Sequence, residues 1–220
     1  MPPPLSQIQP AAPPQPCLGL EEAAAADPRD WAQAMAFAVW RAVREADPRP
    51  LVVVAPQDWR RERGGVFARG LAALGVEPSR LILVRTAREA EALWAMEEAL
   101  KSGVASGVVG AVEAPPFVAT RRLDFAARSG RATGVVLRAH AHADLSAARL
   151  RWRVGAAPSS AHPFDPRAPG AARLTAVLTR RRDGLLGAWE LEQDHETHRL
   201  RLAAGLADHG LVQERRARAA

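Results

Sequence analysis

A repeated switch of hydrophobic period constrains this chain more than any other feature. LVVVA (51–55), LILV (81–84), GVVGAV (107–112) and TGVVLR (133–138) are short, continuous apolar runs rich in β-branched residues. Such runs suit strands buried on both faces. The segments between them carry helical spacing. Asp27-Pro28 reads as an N-cap followed by proline at the first helical position. Trp31, Ala34, Met35, Ala38, Val39 and Ala42 then recur at i, i+3, i+4, i+7, which predicts a helix over 28–46. Val66, Phe67, Gly70, Leu71 and Leu74 mark a second helix stopped by Gly75. A third spans 87–102, with Leu93, Trp94, Met96 and Leu100 inward, and a fourth spans 117–129. CLGL (17–20) is a further short strand ahead of the first helix. Strands that alternate with helices of this length pair in parallel, because each crossover returns the chain to the same end of the sheet.

After residue 145 the pattern changes. ARLRWRV (148–154), ARLTAVLTR (172–180), GAWELE (187–192) and HRLRLA (198–203) alternate apolar with polar residues, as antiparallel strands with one wet face do. Residues 157–170, rich in proline and serine, read as a loop, and Arg181-Arg182-Asp183-Gly184 sits where a hairpin turn belongs. The fold class expected is α/β: a mostly parallel sheet flanked by helices and extended by antiparallel C-terminal strands. Residues 1–16 hold many prolines and only Leu5 and Ile8 as large apolar side chains, so a disordered or extended lead is expected. The ordered domain should span 17–205, with 206–220 a polar tail.

Charge is uneven. Lys and Arg number 30 against 24 Asp and Glu, a net of +6, and the excess lies in residues 121–220, where 18 basic side chains meet 10 acidic ones. A basic half suits nucleic acid, an acidic partner, or a plain solvated surface. Cys17 is alone, so no disulfide can form within the chain. Neither a secretory leader nor an apolar run of membrane-spanning length is evident, which points to a cytoplasmic protein without membrane contact.

Several pieces in order carry a family likeness. The run LAALGVEPSRLILVRTAREAEALWAMEEALKSGVASGVVGAVEAPP resembles the part of RecA homologues that holds the second and third core strands and the Walker B strand. Together with TRRLDFAARSG, GVVLR, ARLRWRVGAAPS and RLTAVLTRRRDGLLGAWELE, it resembles more closely the ImuA family, the SulA/RecA-like damage-inducible mutagenesis proteins. The resemblance covers roughly residues 17–205. It implies a RecA-like core and a role in the SOS response to DNA damage. It also implies binding to an ImuB-type relative of the Y-family polymerases and support for an error-prone polymerase III alpha-type subunit in translesion synthesis. RecA itself would be a further partner. The alternatives are a SulA-like cell-division inhibitor and a single-stranded-DNA-binding accessory protein.

An ATPase of this kind needs G-x-x-x-x-G-K-[ST] between strand and helix, so that backbone N–H groups close around phosphates, lysine reaches the outer phosphates and a hydroxyl holds Mg²⁺. The corresponding stretch here is LGLEEAAAADPRDWAQAM, with no glycine after Gly19, no lysine and no hydroxyl. Glu21, Glu22, Asp27 and Asp30 surround the place, and Arg29 is the only nearby cation. At a helix N-terminus the unpaired N–H groups attract an anion. The Asp27 carboxylate can serve as that anion itself, which predicts a pseudo-ATPase that takes no cofactor. Gln57 and Asp58 stand where a catalytic glutamate is expected, and Glu113 at the end of a strand is weak evidence for a metal.

The remaining candidates divide by residue type. His140 and His142, and His195 and His198, lack a third ligand at metal spacing, and surface roles fit them. Arg149, Arg151 and Arg153 share one face of a strand opposite Leu150, Trp152 and Val154, while Arg180, Arg181 and Arg182 cluster at a turn. Either group can contact phosphate or a partner, or form the polar side of a half-buried sheet. Trp59, placed in a loop beside Arg60 and Arg61, reads as an exposed anchor for a partner. Trp152 and Trp189 read as core.

Overall fold

A computed structural model of the chain describes residues 12–44, 47–141, 143–165, 167–181, 183–194, 196–197 and 199–203. These residues build a nine-stranded sheet: β1 (Gly19–Ala25), β2 (Leu51–Pro56), β3 (Leu81–Thr86), β4 (Gly107–Ala111), β5 (Thr133–Arg138), β6 (Leu150–Ala157), β7 (Arg173–Arg181), β8 (Gly187–Gln193) and β9 (Leu200–Leu202). Their order across the sheet is β3-β2-β4-β5-β1-β6-β7-β8-β9. The first six pair in parallel and the last three add antiparallel. The α/β class and the antiparallel extension therefore appear as the residue pattern predicts. One correction concerns β6, which is antiparallel only toward β7 and runs parallel to β1 on its other side.

Five helices accompany the strands: α1 (Trp31–Ala42), α2 (Gln57–Arg63), α3 (Ala68–Ala72), α4 (Glu89–Lys101) and α5 (Phe117–Ser129). Two apolar layers result, one on each face of the sheet. Phe37, Ala38 and Val39 of α1 pack with Trp59, Leu71, Val53, Val135, Leu137, Trp152 and Trp189. On the opposite face Ala92, Met96 and Leu100 of α4 and Leu123 and Ala127 of α5 meet Leu20, Val52, Val54, Val108 and Val136. Backbones approach closely at Gly107 and Gly130. A Cβ on Gly107 would lie 2.2 Å from the Ala42 carbonyl oxygen, and one on Gly130 would lie 1.8 Å from that of Leu100.

Several expectations need correction. The first helix is shorter than 28–46; it opens as a 3-10 turn (Pro28–Asp30) and ends at Ala42. β3 is not a buried strand, because it forms the edge of the sheet and leaves Ile82 and Leu83 exposed. Trp94 points outward from α4, with Ala92, Met96 and Leu100 taking the buried stripe. Residues 57–63 form α2 rather than a loop. The end of the proline-rich lead is held down: the Pro14 carbonyl accepts a bond from Arg41 Nη1 at 2.6 Å. The rest of that lead and the tail beyond residue 203 lie outside the described residues. Among the described residues no helix is long and apolar enough to cross a membrane.

Candidate functional site

The stretch in which a phosphate loop would lie is built differently from any anion cradle. β1 runs through Glu21 and Glu22 to Ala25, so these two carboxylates belong to the middle of the sheet and not to the loop where the sequence reading placed them. Only Ala26 and Asp27 separate the strand from the first helical turn, and the Ala26 N–H donates to the Val154 carbonyl at 2.7 Å. Asp27 caps that turn, accepting the Arg29 N–H on Oδ1 at 2.9 Å. Asp30 reaches back and accepts the Asp27 N–H at 3.1 Å, completing a reciprocal capping box. Two donors at this helix start, the Asp27 and Arg29 N–H groups, are thus taken by the chain's own carboxylates, and the Asp30 N–H by the Asp27 carbonyl.

Glu21 and Glu22 project to opposite faces of the sheet, as neighbours on a strand must. Glu21 is fully buried and receives the guanidinium of Arg41 through two bonds of 2.8 Å, Nε to Oε2 and Nη2 to Oε1. Trp152 Nε1 donates to Oε2 at 3.0 Å and the Cys17 N–H to Oε1 at 3.0 Å. Every Glu21 oxygen has donors, which makes the group a structural anion rather than a free base. Burial first, and then the Glu21 carboxylate beside it, push the Cys17 thiol up to about 12.

On the other face Glu22 ion-pairs with Arg151 at 2.9 Å and with Arg138 at 3.5 Å, and takes the Ser146 hydroxyl. Asp144 joins the same cluster, meeting Arg138 at 2.9 Å and Arg151 at 3.4 Å.

The candidate arginines differ in what they meet. Arg149, Arg151 and Arg153 share a face, but Arg151 is buried on Glu22 and Asp144, and Arg149 is bonded to Asp124 at 3.0 Å. Arg153 alone of the three is exposed; it donates to the Ala26 carbonyl at 3.2 Å. Arg180 is exposed, Arg181 pairs with Asp183 at 2.8 Å, and Arg182 lies outside the described residues. Trp59 is buried, not an exposed anchor: its ring centroid stands 3.8 Å from that of Trp31. Arg60 beside it is half-buried, and Arg61 is exposed near Asp58 at 3.5 Å. The partners missed in the sequence, Arg41 and Asp124, did leave a signal. Each is a charged residue on the inward stripe of an amphipathic helix, a place that demands a buried counter-charge.

At the carboxyl ends of β2, β4 and β5 lies a cleft of about 420 Å³ lined by Asp58, Trp59, Arg63, Arg88, Glu113 and His140, among others. Glu113 accepts the backbone N–H groups of Ala139 at 2.7 Å and His140 at 3.2 Å, while Glu89 accepts that of Glu113 at 2.8 Å. The strand-end glutamate therefore clasps β4 to β5. Among the described residues no three His, Cys, Asp or Glu side chains gather as a metal site would require; His142, His195 and His198 lie outside them. A second cleft of about 340 Å³ runs between α1 and α3, lined by Trp31, Met35, Val66, Phe67, Leu71 and Leu74 among others.

No known family profile matches the chain. A stretch of 71 residues, 31% of the chain, is 41% identical to the cell division inhibitor SulA of Edwardsiella piscicida and covers 41% of that protein. The crystal structure of SulA from Pseudomonas aeruginosa aligns with a TM-score of 0.42 at 25% identity, over 54% of this chain and 96% of that one. A longer stretch is shared with Protein ImuA of Caulobacter vibrioides, at 36% identity over 167 residues, which covers 70% of this chain and 68% of that protein. On that coverage and identity, the chain belongs to the ImuA family.

Proposed function

We propose that this chain is a non-catalytic, RecA-like adaptor of damage-induced mutagenesis. It binds an ImuB-type relative of the Y-family polymerases and supports an error-prone replicative-type polymerase during translesion synthesis. The observation that carries the non-catalytic half is the Asp27–Asp30 capping box: carboxylates occupy the helix start at which a nucleotide phosphate would sit. Family membership carries the mutagenesis half, and the six parallel strands with an antiparallel extension accord with the RecA-like layout that the sequence resembles. Direct DNA binding through the arginines of the C-terminal half is the weaker reading, because Arg149, Arg151 and Arg181 are already paired with acidic side chains.

Two measurements test the proposal. Co-expression with the ImuB-type protein of the same genome should yield a complex that survives gel filtration at micromolar concentration; two separate peaks would sink the adaptor reading. Calorimetry with ATP and Mg²⁺ should show no heat of binding, and measurable binding would overturn the pseudo-ATPase reading. The local identity to a cell division inhibitor favours one alternative, SulA-like arrest of division. Overproduction without DNA damage separates the two, since filamentous cells would favour the inhibitor and normal cells the adaptor.

A further inference from the structure

α5 carries large apolar side chains on its outer side as well as its inner one. Its covered side holds Thr120, Leu123, Asp124, Ala126 and Ala127, with leucine the only large apolar residue among them. Its outer side carries Phe117, Val118 and Phe125, of which Val118 and Phe125 are each 66% exposed. At 100° per residue, Phe117, Arg128, Arg121, Phe125, Val118 and Arg122 all fall within an arc of about 140°. Exposed apolar side chains scattered singly need no account, but three large ones gathered on one face of a helix do. The surface continues onto α4, where Trp94 is 64% exposed one turn before Glu97, and Glu97 is bridged to Arg122 at 2.6 Å.

The charges of this face narrow its occupant. Arg122 is held by Glu97, and Arg128 shares Asp124, at 3.3 Å, with Arg149. Arg121 has no ion-pair partner among the described residues; its guanidinium lies 6.0 Å from the Phe117 ring centroid. Aromatic rings beside arginines are also what single-stranded nucleic acid uses. Phosphates, however, need a row of free cations, and here Arg122 and Arg128 already lie against carboxylates. An apolar stripe with a net positive charge, Arg121 unpaired at its middle, instead complements an apolar segment that carries a carboxylate.

We infer that the outer face of α5, extended by Trp94 of α4, is a docking surface for an acidic amphipathic helix of another protein. The apolar side chains of that helix would cover Phe117, Val118 and Phe125, and a carboxylate would pair with Arg121.

The test uses the full chain and a fluorescein-labelled peptide of about four helical turns, with leucines at i, i+4 and glutamates between them. A Lys/Leu peptide of the same pattern and a labelled oligo-dT serve as the other probes. The wild-type chain should bind the Glu/Leu peptide in fluorescence anisotropy and not the oligonucleotide. Phe125→Asp and Arg121→Glu should each weaken binding by about tenfold or more, and Arg121→Glu should shift preference toward the Lys/Leu peptide. Both side chains are exposed, so unchanged far-UV circular dichroism is expected for the variants. Absent binding of the Glu/Leu peptide, binding that both variants leave untouched, or oligo-dT binding that depends on the same two residues would each overturn the inference.

Discussion

Replacing Arg41 by methionine removes one half of a fully buried ion pair while keeping most of its volume. Glu21 would retain only Trp152 Nε1 and the Cys17 N–H as donors, at 3.0 Å each, against a fully buried carboxylate. Pro14 would lose its bond from Nη1, and the Trp152 ring would lose the guanidinium stacked 5.0 Å from its centroid. Removing one partner of such a pair costs about 3–5 kcal/mol, because the remaining charge is left uncompensated in the interior. Set against a total stability of about 5–15 kcal/mol, that is a large fraction. For a domain of this size the midpoint of thermal unfolding should fall by roughly 6–20 °C. Adding Glu21→Gln to Arg41→Met removes the stranded charge but keeps an acceptor for the indole N–H. The double variant should therefore recover about 1–3 kcal/mol relative to the sum of the two singles. Urea unfolding followed by far-UV circular dichroism gives all four corners of the cycle. If Arg41→Met stays within about 1 kcal/mol of wild type, or the two changes simply add, the buried pair does not have the role assigned to it.

Other parts of the fold make equally definite claims. With its thiol raised from 9.0 to about 12, Cys17 should resist iodoacetamide and disulfide reagents at pH 8 in the native state and react once unfolded; native labelling at the rate of a small thiol would refute this. The same shift means that any stability contributed by the neutral thiol is fully present below pH 9 and is lost as pH rises toward 12. A base titration of Cys17→Ala beside wild type should reveal that difference. Arg49 joins Asp47 to the Gly103, Gly130 and Arg131 carbonyls that follow α4 and α5, and its bond to Asp47 holds that carboxyl below its ordinary range. Arg49→Gln should lower stability by about 1–3 kcal/mol. It should also remove stability that wild type has above about pH 4 and loses as pH falls, as acid unfolding of the two proteins would show. Gly130→Ala, whose Cβ meets backbone, should cost more than about 2 kcal/mol, whereas Gly65→Ala, with open space and no positive φ, should stay within about 0.5 kcal/mol of wild type; equal midpoints in urea would contradict the difference.

The local pattern by itself determined a great deal. The runs at 107–112 and 133–138 became β4 and β5, the helix over 117–129 became α5 residue for residue, and Asp27-Pro28 marked the capped turn, because these signals are carried by neighbouring side chains and backbone chemistry. The reversal to alternating residues after 145 likewise announced antiparallel strands. What tertiary structure alone decided was which polar groups meet and which apolar groups are left over. LILV reads the same in a central strand as in an edge strand, and only the strand order leaves β3 on the outside with Ile82 and Leu83 in water. Glu21 and Glu22 read as loop acids until β1 is seen lying between β5 and β6, with Arg41, Arg138 and Arg151 arriving from 20 to 129 residues away. Periodicity records the environment that each short segment needs. Long-range pairing of charge is satisfied between elements far apart in sequence, so one glutamate on a strand carries no mark of the arginine that will reach it.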